Sequence, residues 1–182
     1  MSRATPGKRR LAALLAVGVA SVTVCSAADS RSTQTYVSKR YGYQITVNGT
    51  YTMIQALLQW DGGFPFGASG MVDITINSHD RKFIVAAKPV SSKTTLARWE
   101  AFVVGVQRQY CGRLRRFRAS SLGGVPAREF VNTCPGYEVI TLAALHKKRG
   151  YLLNYLSPTG SNAAVERRTY EVGRHGFRFL NT

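Results

Sequence analysis

Histidine and cysteine are scarce in this 182-residue chain, three of each, and nine acidic residues stand against 25 lysines and arginines. That scarcity removes whole classes of chemistry. There is no Cys-x-x-Cys pair and no His-Glu-x-x-His motif, so a zinc site would need ligands gathered from distant parts of the chain. His79 stands beside Asp80 in a turn pattern, His146 ends an apolar run and His175 precedes Gly176, so no two share a helix face. Gly67-Ala68-Ser69-Gly70 lacks the Gly-x-Ser-x-Gly spacing that exposes a serine nucleophile, and Gly62, Gly63 and Gly67 lack the spacing of a phosphate-cradling loop. Asp61, Asp73, Glu100, Glu129 and Glu138 would have to meet in space before any two served as a glycosidic acid/base pair, and the pattern selects none. No catalytic residue, metal or cofactor is assigned.

A long hydrophobic run is missing too. The longest, residues 11–24, is interrupted only by Gly18, Ser21 and Thr23. As a helix at about 1.5 Å per residue it reaches about 21 Å, short of the roughly 30 Å hydrocarbon core of a bilayer. It follows Arg3, Lys8, Arg9 and Arg10, with no acid nearby, which is the layout of a secretory signal peptide. Small residues at Ser26-Ala27-Ala28 place cleavage after Ala28, so residues 1–28 form the signal and Asp29 begins the mature chain. Two alternatives stay open. Val22-Thr23-Val24-Cys25 looks like a bacterial lipobox with Val24 where a small residue is wanted, which would leave Cys25 lipidated. Arg9-Arg10 also permits a twin-arginine export route.

Either fate of Cys25 leaves Cys111 and Cys134 in an oxidising compartment, where a disulfide is expected. It would close a 23-residue separation, worth roughly 3 kcal/mol through loss of unfolded-chain entropy. The alternative is a reactive or metal-binding thiol, which has no histidine nearby in sequence to support it. Removing the signal subtracts four basic residues and no acids, so 21 cations face nine anions and the charge stays at +12. A remainder of 182 − 28 = 154 residues suits one domain with its own core.

Residues 29–40 are Ser/Thr-rich and unpatterned, and are expected to be a flexible lead-in to a domain over residues 41–182. Tyr41, Tyr43, Ile45 and Val47 alternate with small or polar residues, a strand that Asn48-Gly49 ends. The stretch 51–60 is apolar without a decisive period, and 61–70 is a glycine-rich loop. Residues 72–76 and 82–88 predict a hairpin. A helix over 95–110, capped by Thr94 or Thr95, carries Leu96, Trp99, Phe102, Val103, Val106 and Tyr110 on one stripe. Strands follow over 113–121 and 125–133, then two runs apolar on nearly every residue, 139–145 and 151–156, around Lys147-Lys148-Arg149-Gly150. Strands apolar on both faces must be covered on both faces. With a second helix over 162–173, the expected fold is α+β: a mostly antiparallel sheet covered by helices on both faces, an α/β/α sandwich. Phe177 and Phe179 close the chain as a short strand or core anchor.

The order of a hairpin, a helix with Trp99, strands around Leu122-Gly123-Gly124-Val125-Pro126-Ala127-Arg128-Glu129-Phe130, a hairpin through Tyr151, then a helix and Phe177-Arg178-Phe179, resembles the PsbP-like superfamily. It is similar to that superfamily's bacterial exported members, lipoproteins of the LpqN type among them. The resemblance spans residues 41–179, and Gly-x-Pro-Ala-Arg is its most specific piece. It implies a fold and a binding-protein habit, since members are mostly non-catalytic: extrinsic photosystem II subunits, a nuclear-import factor that binds the Ran GTPase, and exported bacterial proteins. It assigns no functional residue.

The remaining chemical signal is positive charge. Arg113, Arg115, Arg116 and Arg118 form one cluster, Lys147, Lys148 and Arg149 a second, and Arg167, Arg168, Arg174 and Arg178 a third. They suit an anionic envelope component or an acidic protein. The same charges also keep edge strands from pairing with other chains. The export signal argues against nucleic acid. The function expected is a secreted or envelope-associated, non-enzymatic binding protein with an unidentified partner, the alternative being an envelope hydrolase whose site is assembled from distant residues.

Overall fold

Period-2 runs become strands and the capped amphipathic stretches become helices in the computed structural model, which describes residues 32–63, 70–112 and 114–181. The signal segment, its cleavage site, Cys25 and Arg113 lie outside the described residues. In chain order the elements are β1 (Thr33–Ser38), β2 (Tyr43–Asn48), β3 (Tyr51–Ile54), β4 (Asp73–Asn77), β5 (Lys82–Pro89), α1 (Leu96–Arg108), β6 (Arg115–Leu122), β7 (Val125–Cys134), β8 (Tyr137–His146), β9 (Arg149–Pro158), α2 (Ala163–Gly176) and β10 (Arg178–Phe179). Seven strands form one sheet in the order β3-β4-β5-β9-β8-β7-β6, and β1-β2-β10 form a second. Every pairing is antiparallel.

The apolar runs of β8 and β9 sit near the middle of the large sheet, where neither face meets water. On one face lies α1. Its indole at Trp99 rests on Gly150, where a Cβ would come within 2.5 Å of the ring, and donates to the Tyr151 carbonyl at 2.9 Å. About two helical turns further on, buried Gln107 donates to Thr141 Oγ1 at 2.8 Å and Asn154 Oδ1 at 3.0 Å. Tyr155 leaves β9 on the other face from Asn154, because strand side chains alternate. It meets α2 there, donating to Glu166 at 2.5 Å. Glu166 also accepts a forked pair of bonds from Arg81, and α2 lets Phe83 approach Gly173 so closely that a Cβ would lie 2.4 Å from the ring. Thr95 caps α1 and Asn162 caps α2, as their side-chain acceptors predict.

Two expectations change. Coverage of the large sheet is not by helices alone. Only two helices occur among the described residues, and the small sheet shares the α2 side: the Tyr151 hydroxyl bonds the Tyr41 carbonyl at 2.7 Å and the Tyr43 hydroxyl bonds Asp73 at 2.9 Å. The protein is therefore α+β with mostly antiparallel sheets, and part of the second cover is β-structure. The lead-in expected over 29–40 also contains a strand. β1 pairs with β2 from Thr33↔Asn48 to Ser38↔Tyr43, held by backbone bonds that a Ser/Thr-rich composition does not announce. Cys111, just beyond α1, is joined to Cys134 at the end of β7.

Candidate anion-binding site

The second basic cluster sits on a hairpin turn of two residues, with His146 paired to Arg149 across it. Such a turn needs positive φ at both central positions, which Asn-Gly supplies at least cost. Here Lys147 and Lys148 occupy them at φ 44° and 58°. The Lys148 carbonyl accepts from Val90 N–H at 2.9 Å, tying the turn to the end of β5. Both lysines are exposed.

Beside this turn lies the one joining β1 to β2, where Gly42 takes φ 67° and its N–H bonds the Ser38 carbonyl at 2.9 Å. Arg149 donates to the Arg40 carbonyl at 3.1 Å, and Arg40 Nε donates to the Ala56 carbonyl at 3.1 Å. The two turns enclose a cavity of about 180 Å³ lined by Lys39, Arg40, His146, Lys147 and Arg149, with backbone at Gly42 and, among the described residues, no side-chain carboxylate in its wall. His146 stacks on Phe179 with centroids 4.1 Å apart. Its Nε2 is buried without a hydrogen-bond partner. Burial first, and the Lys147 charge second, hold the imidazole below its usual pKa. A wider, more open cavity of about 780 Å³ adjoins, sharing Lys39, Arg40 and Arg149. Asp73 lines it but is 2% exposed and accepts from Ala56 N–H at 2.7 Å and the Tyr43 hydroxyl.

In the other two basic clusters, several arginines are engaged within the fold. Arg118 forks onto Glu129 at 2.8 and 2.9 Å, and Arg167 reaches the same carboxylate at 2.8 Å. Glu129 also accepts from the Tyr170 hydroxyl at 2.8 Å while only 2% exposed. Glu171 pairs with Arg167 at 2.5 Å and Arg174 at 2.6 Å. Arg178 donates to the backbone carbonyls of His175 and Phe177. Along β6, an edge strand with a register shift between Arg115 and Arg118, Arg115 bonds Thr133 and Arg116 takes φ 54°. A charged, bulged edge of this kind prevents strand addition. Arg168 is exposed on α2.

The fold sets the Lys147-Lys148-Arg149 turn beside Lys39 and Arg40, two residues in the expected lead-in that the sequence reading did not single out. The adjacent Lys-Arg pair just before Tyr41 was the signal available. His79 and His175 lie away from the site, on the β4–β5 turn and at the end of α2. A separate apolar groove of about 470 Å³ opens along Ile54, Ile74, Ile76, Ile84 and Leu156, with Tyr137 and Lys82 at its rim. Lys82 there is held by the Tyr137 hydroxyl at 2.8 Å and Asp80 at 2.9 Å.

Strand order, the antiparallel pairing and the two helices define a PsbP-like α+β fold. The solution structure of cyanobacterial PsbP (CyanoP) from Synechocystis sp. PCC 6803 has this fold, with a TM-score of 0.59 at 12% identity over 87% of this chain and 99% of that one. The crystal structure of LpqN, involved in cell envelope biogenesis of Mycobacterium tuberculosis, matches with a TM-score of 0.42 at 10% identity over 85% of this chain and 87% of that one. No protein-family model and no curated protein matches the sequence. At these identities the likeness is one of fold. Among the described residues, no helix is long and apolar enough to cross a membrane.

Proposed function

We propose that this is a secreted or envelope-associated, non-enzymatic binding protein that adheres to an anionic envelope component through the end of the molecule carrying Lys39, Arg40, Lys147, Lys148 and Arg149. The observation that carries this reading is the convergence of basic residues from two separate turns around one small cavity. Elsewhere, Glu129 and Glu171 pair with Arg118, Arg167 and Arg174, so those three cations are partly neutralised within the fold. The basic, apolar leader of residues 1–28 supplies the compartment in which such a surface would meet an envelope. Arg115, Arg116 and Arg168 add to the field and serve mainly as edge and surface charge.

Surface cations near an anionic membrane contribute on the order of 1 kcal/mol each, and the effect decays within a Debye length of about 10 Å at 0.1 M salt. Flotation of the exported protein with anionic and with zwitterionic vesicles, and sedimentation with purified envelope, at low and high ionic strength, tests the reading. Binding to anionic material that falls steeply with salt and is lost on charge reversal at Lys147, Lys148 and Arg149 supports it. Absence of binding at low salt, or indifference to both salt and reversal, overturns it.

A further inference from the structure

We infer that the end of the molecule bearing Lys39, Arg40 and Arg149 is a lipid-bilayer face, on which Leu57 and Leu58 insert among acyl chains while the cations engage anionic headgroups. This rests on the reading that the basic end is the binding end, and it names the partner: a membrane leaflet, where charge alone fits a wall polyanion or an acidic protein equally well. The first observation is the placing of aliphatic side chains. Leu57 is 75% exposed, Leu58 56% and Val37 43%. Single exposed apolar residues are ordinary on a soluble protein, but neighbouring ones with a polar rim mark a surface that meets something. Ala56 and Gln59, which bracket the two leucines, line the open cavity of about 780 Å³ together with Val37, Lys39, Arg40 and Arg149. The Gln59 amide also reaches the Ala87 carbonyl of β5, and two residues further on Pro89 pairs with Arg149. Apolar and cationic groups thus share one end of the fold. Asp61, the nearest acid in sequence, has its carboxylate on the Gly63 amide at 2.7 Å.

The second observation is the backbone beneath the leucines. The Leu57 and Leu58 N–H groups both donate to the Gly70 carbonyl at 2.7 Å, Ala56 N–H donates to Asp73 at 2.7 Å, and Trp60 N–H to the Tyr41 hydroxyl at 3.1 Å. The Ala56 carbonyl accepts from Arg40 at 3.1 Å. Polar groups already bonded within the protein can leave water without the cost that an open loop meets in hydrocarbon. Trp60 is 1% exposed and anchors the segment, so the leucines are presented outward on a braced support. The residue types then separate the partners. Protein interfaces draw their binding energy chiefly from Trp, Tyr and Arg, with leucine under-represented and lysine depleted. Aliphatic side chains beside Lys and Arg suit a lipid interface, where buried apolar area and attraction to anionic headgroups add. A wall polyanion would give the leucines nothing in which to be buried.

The test is flotation of the exported protein with phosphatidylglycerol vesicles, beside sedimentation with purified cell-wall polyanion, for wild type, Leu57→Ser, Leu58→Ser and Val165→Ser. Val165 is 45% exposed on the first turn of α2, past the opposite end of β9, and serves as the control. Leu58→Trp, read with brominated phosphatidylglycerol as quencher against the wild-type signal, reports insertion directly. Each leucine-to-serine variant should bind the vesicles about tenfold less tightly at an unchanged melting temperature, Val165→Ser should match wild type, and brominated lipid should quench the added tryptophan. Vesicle binding that ignores both leucine changes, with no quenching beyond wild type, overturns insertion and leaves the envelope reading standing. Binding to the polyanion without binding to vesicles does the same. Binding to neither overturns both. A loss in Val165→Ser equal to that in the leucine variants also overturns the assigned face.

Discussion

Replacing Lys147 and Lys148 by Asn and Gly should make the protein more stable and poorer at binding. Both lysines hold positive φ in a two-residue turn, a conformation that costs an ordinary side chain roughly 1–2 kcal/mol per residue. Asn and Gly tolerate it, while the glycine returns about 0.4–1 kcal/mol through greater freedom in the unfolded chain. The Lys148 carbonyl bond from Val90 involves backbone alone and survives the change. A net gain of about 1–2 kcal/mol is expected, which raises the melting temperature by about 2–8 °C for a domain of this size. Removing two exposed cations at about 1 kcal/mol each lowers affinity for anionic vesicles about 30-fold at low salt. Thermal melting by circular dichroism and vesicle flotation read the two effects from one preparation. A melting temperature that does not rise would show that the turn carries no strain, and unchanged flotation would show that these lysines do not face the ligand.

Glu166 should make stability depend on acid. Burial pushes its carboxyl up, but the forked bond from Arg81, the Tyr155 hydroxyl and the Arg81 charge outweigh that and hold the pKa below its ordinary value. A lowered native pKa gives stability that is present above the unfolded value and lost as pH falls through the native one. Glu166→Gln, which leaves Arg81 unpaired, should cost roughly 3 kcal/mol at pH 7, with the gap to wild type closing below about pH 4. A gap that is constant from pH 7 to pH 3 would refute the pairing. Two glycine substitutions should move in opposite directions. Gly173→Ala forces a Cβ to 2.4 Å from Phe83 and should destabilise by about 1–2 kcal/mol, whereas Gly105→Ala meets nothing within 4 Å and should gain about 1 kcal/mol from helix propensity. Chemical denaturation of the two variants decides both.

The elements that were legible in the sequence are those whose side chains report their own surroundings. Trp99 and Val103 mark the α1 stripe, and the doubly apolar runs of β8 and β9 mark strands buried on both faces. The same stripe hides its third buried member. Gln107 is fully buried because Thr141 and Asn154 meet its amide across the sheet, partners that no periodicity within the helix reveals, while Phe102 and Tyr110 are more exposed than their chemistry suggests. β1 was invisible for a related reason: its stability lies in backbone pairing with β2, and its own residues read as a polar linker. The basic clusters looked equivalent as strings of letters. Glu129, 11 residues from Arg118 and 38 from Arg167, separates them only once the fold brings these residues together.

The β8–β9 hairpin also acts as a spacer. Its strands run ten residues each, about 30 Å at the usual rise, with the lysine turn at one end and Tyr137 at the other. Tyr137 stands at the rim of the apolar groove, so the cationic turn and the groove mark opposite ends of one rigid ribbon. A molecule seated on an anionic surface by its turn therefore carries the groove well clear of that surface, beyond the reach of its headgroups and facing whatever lies in the space above. On the proposed attachment, the protein would act as a standoff, anchored at one end without hiding its apolar face.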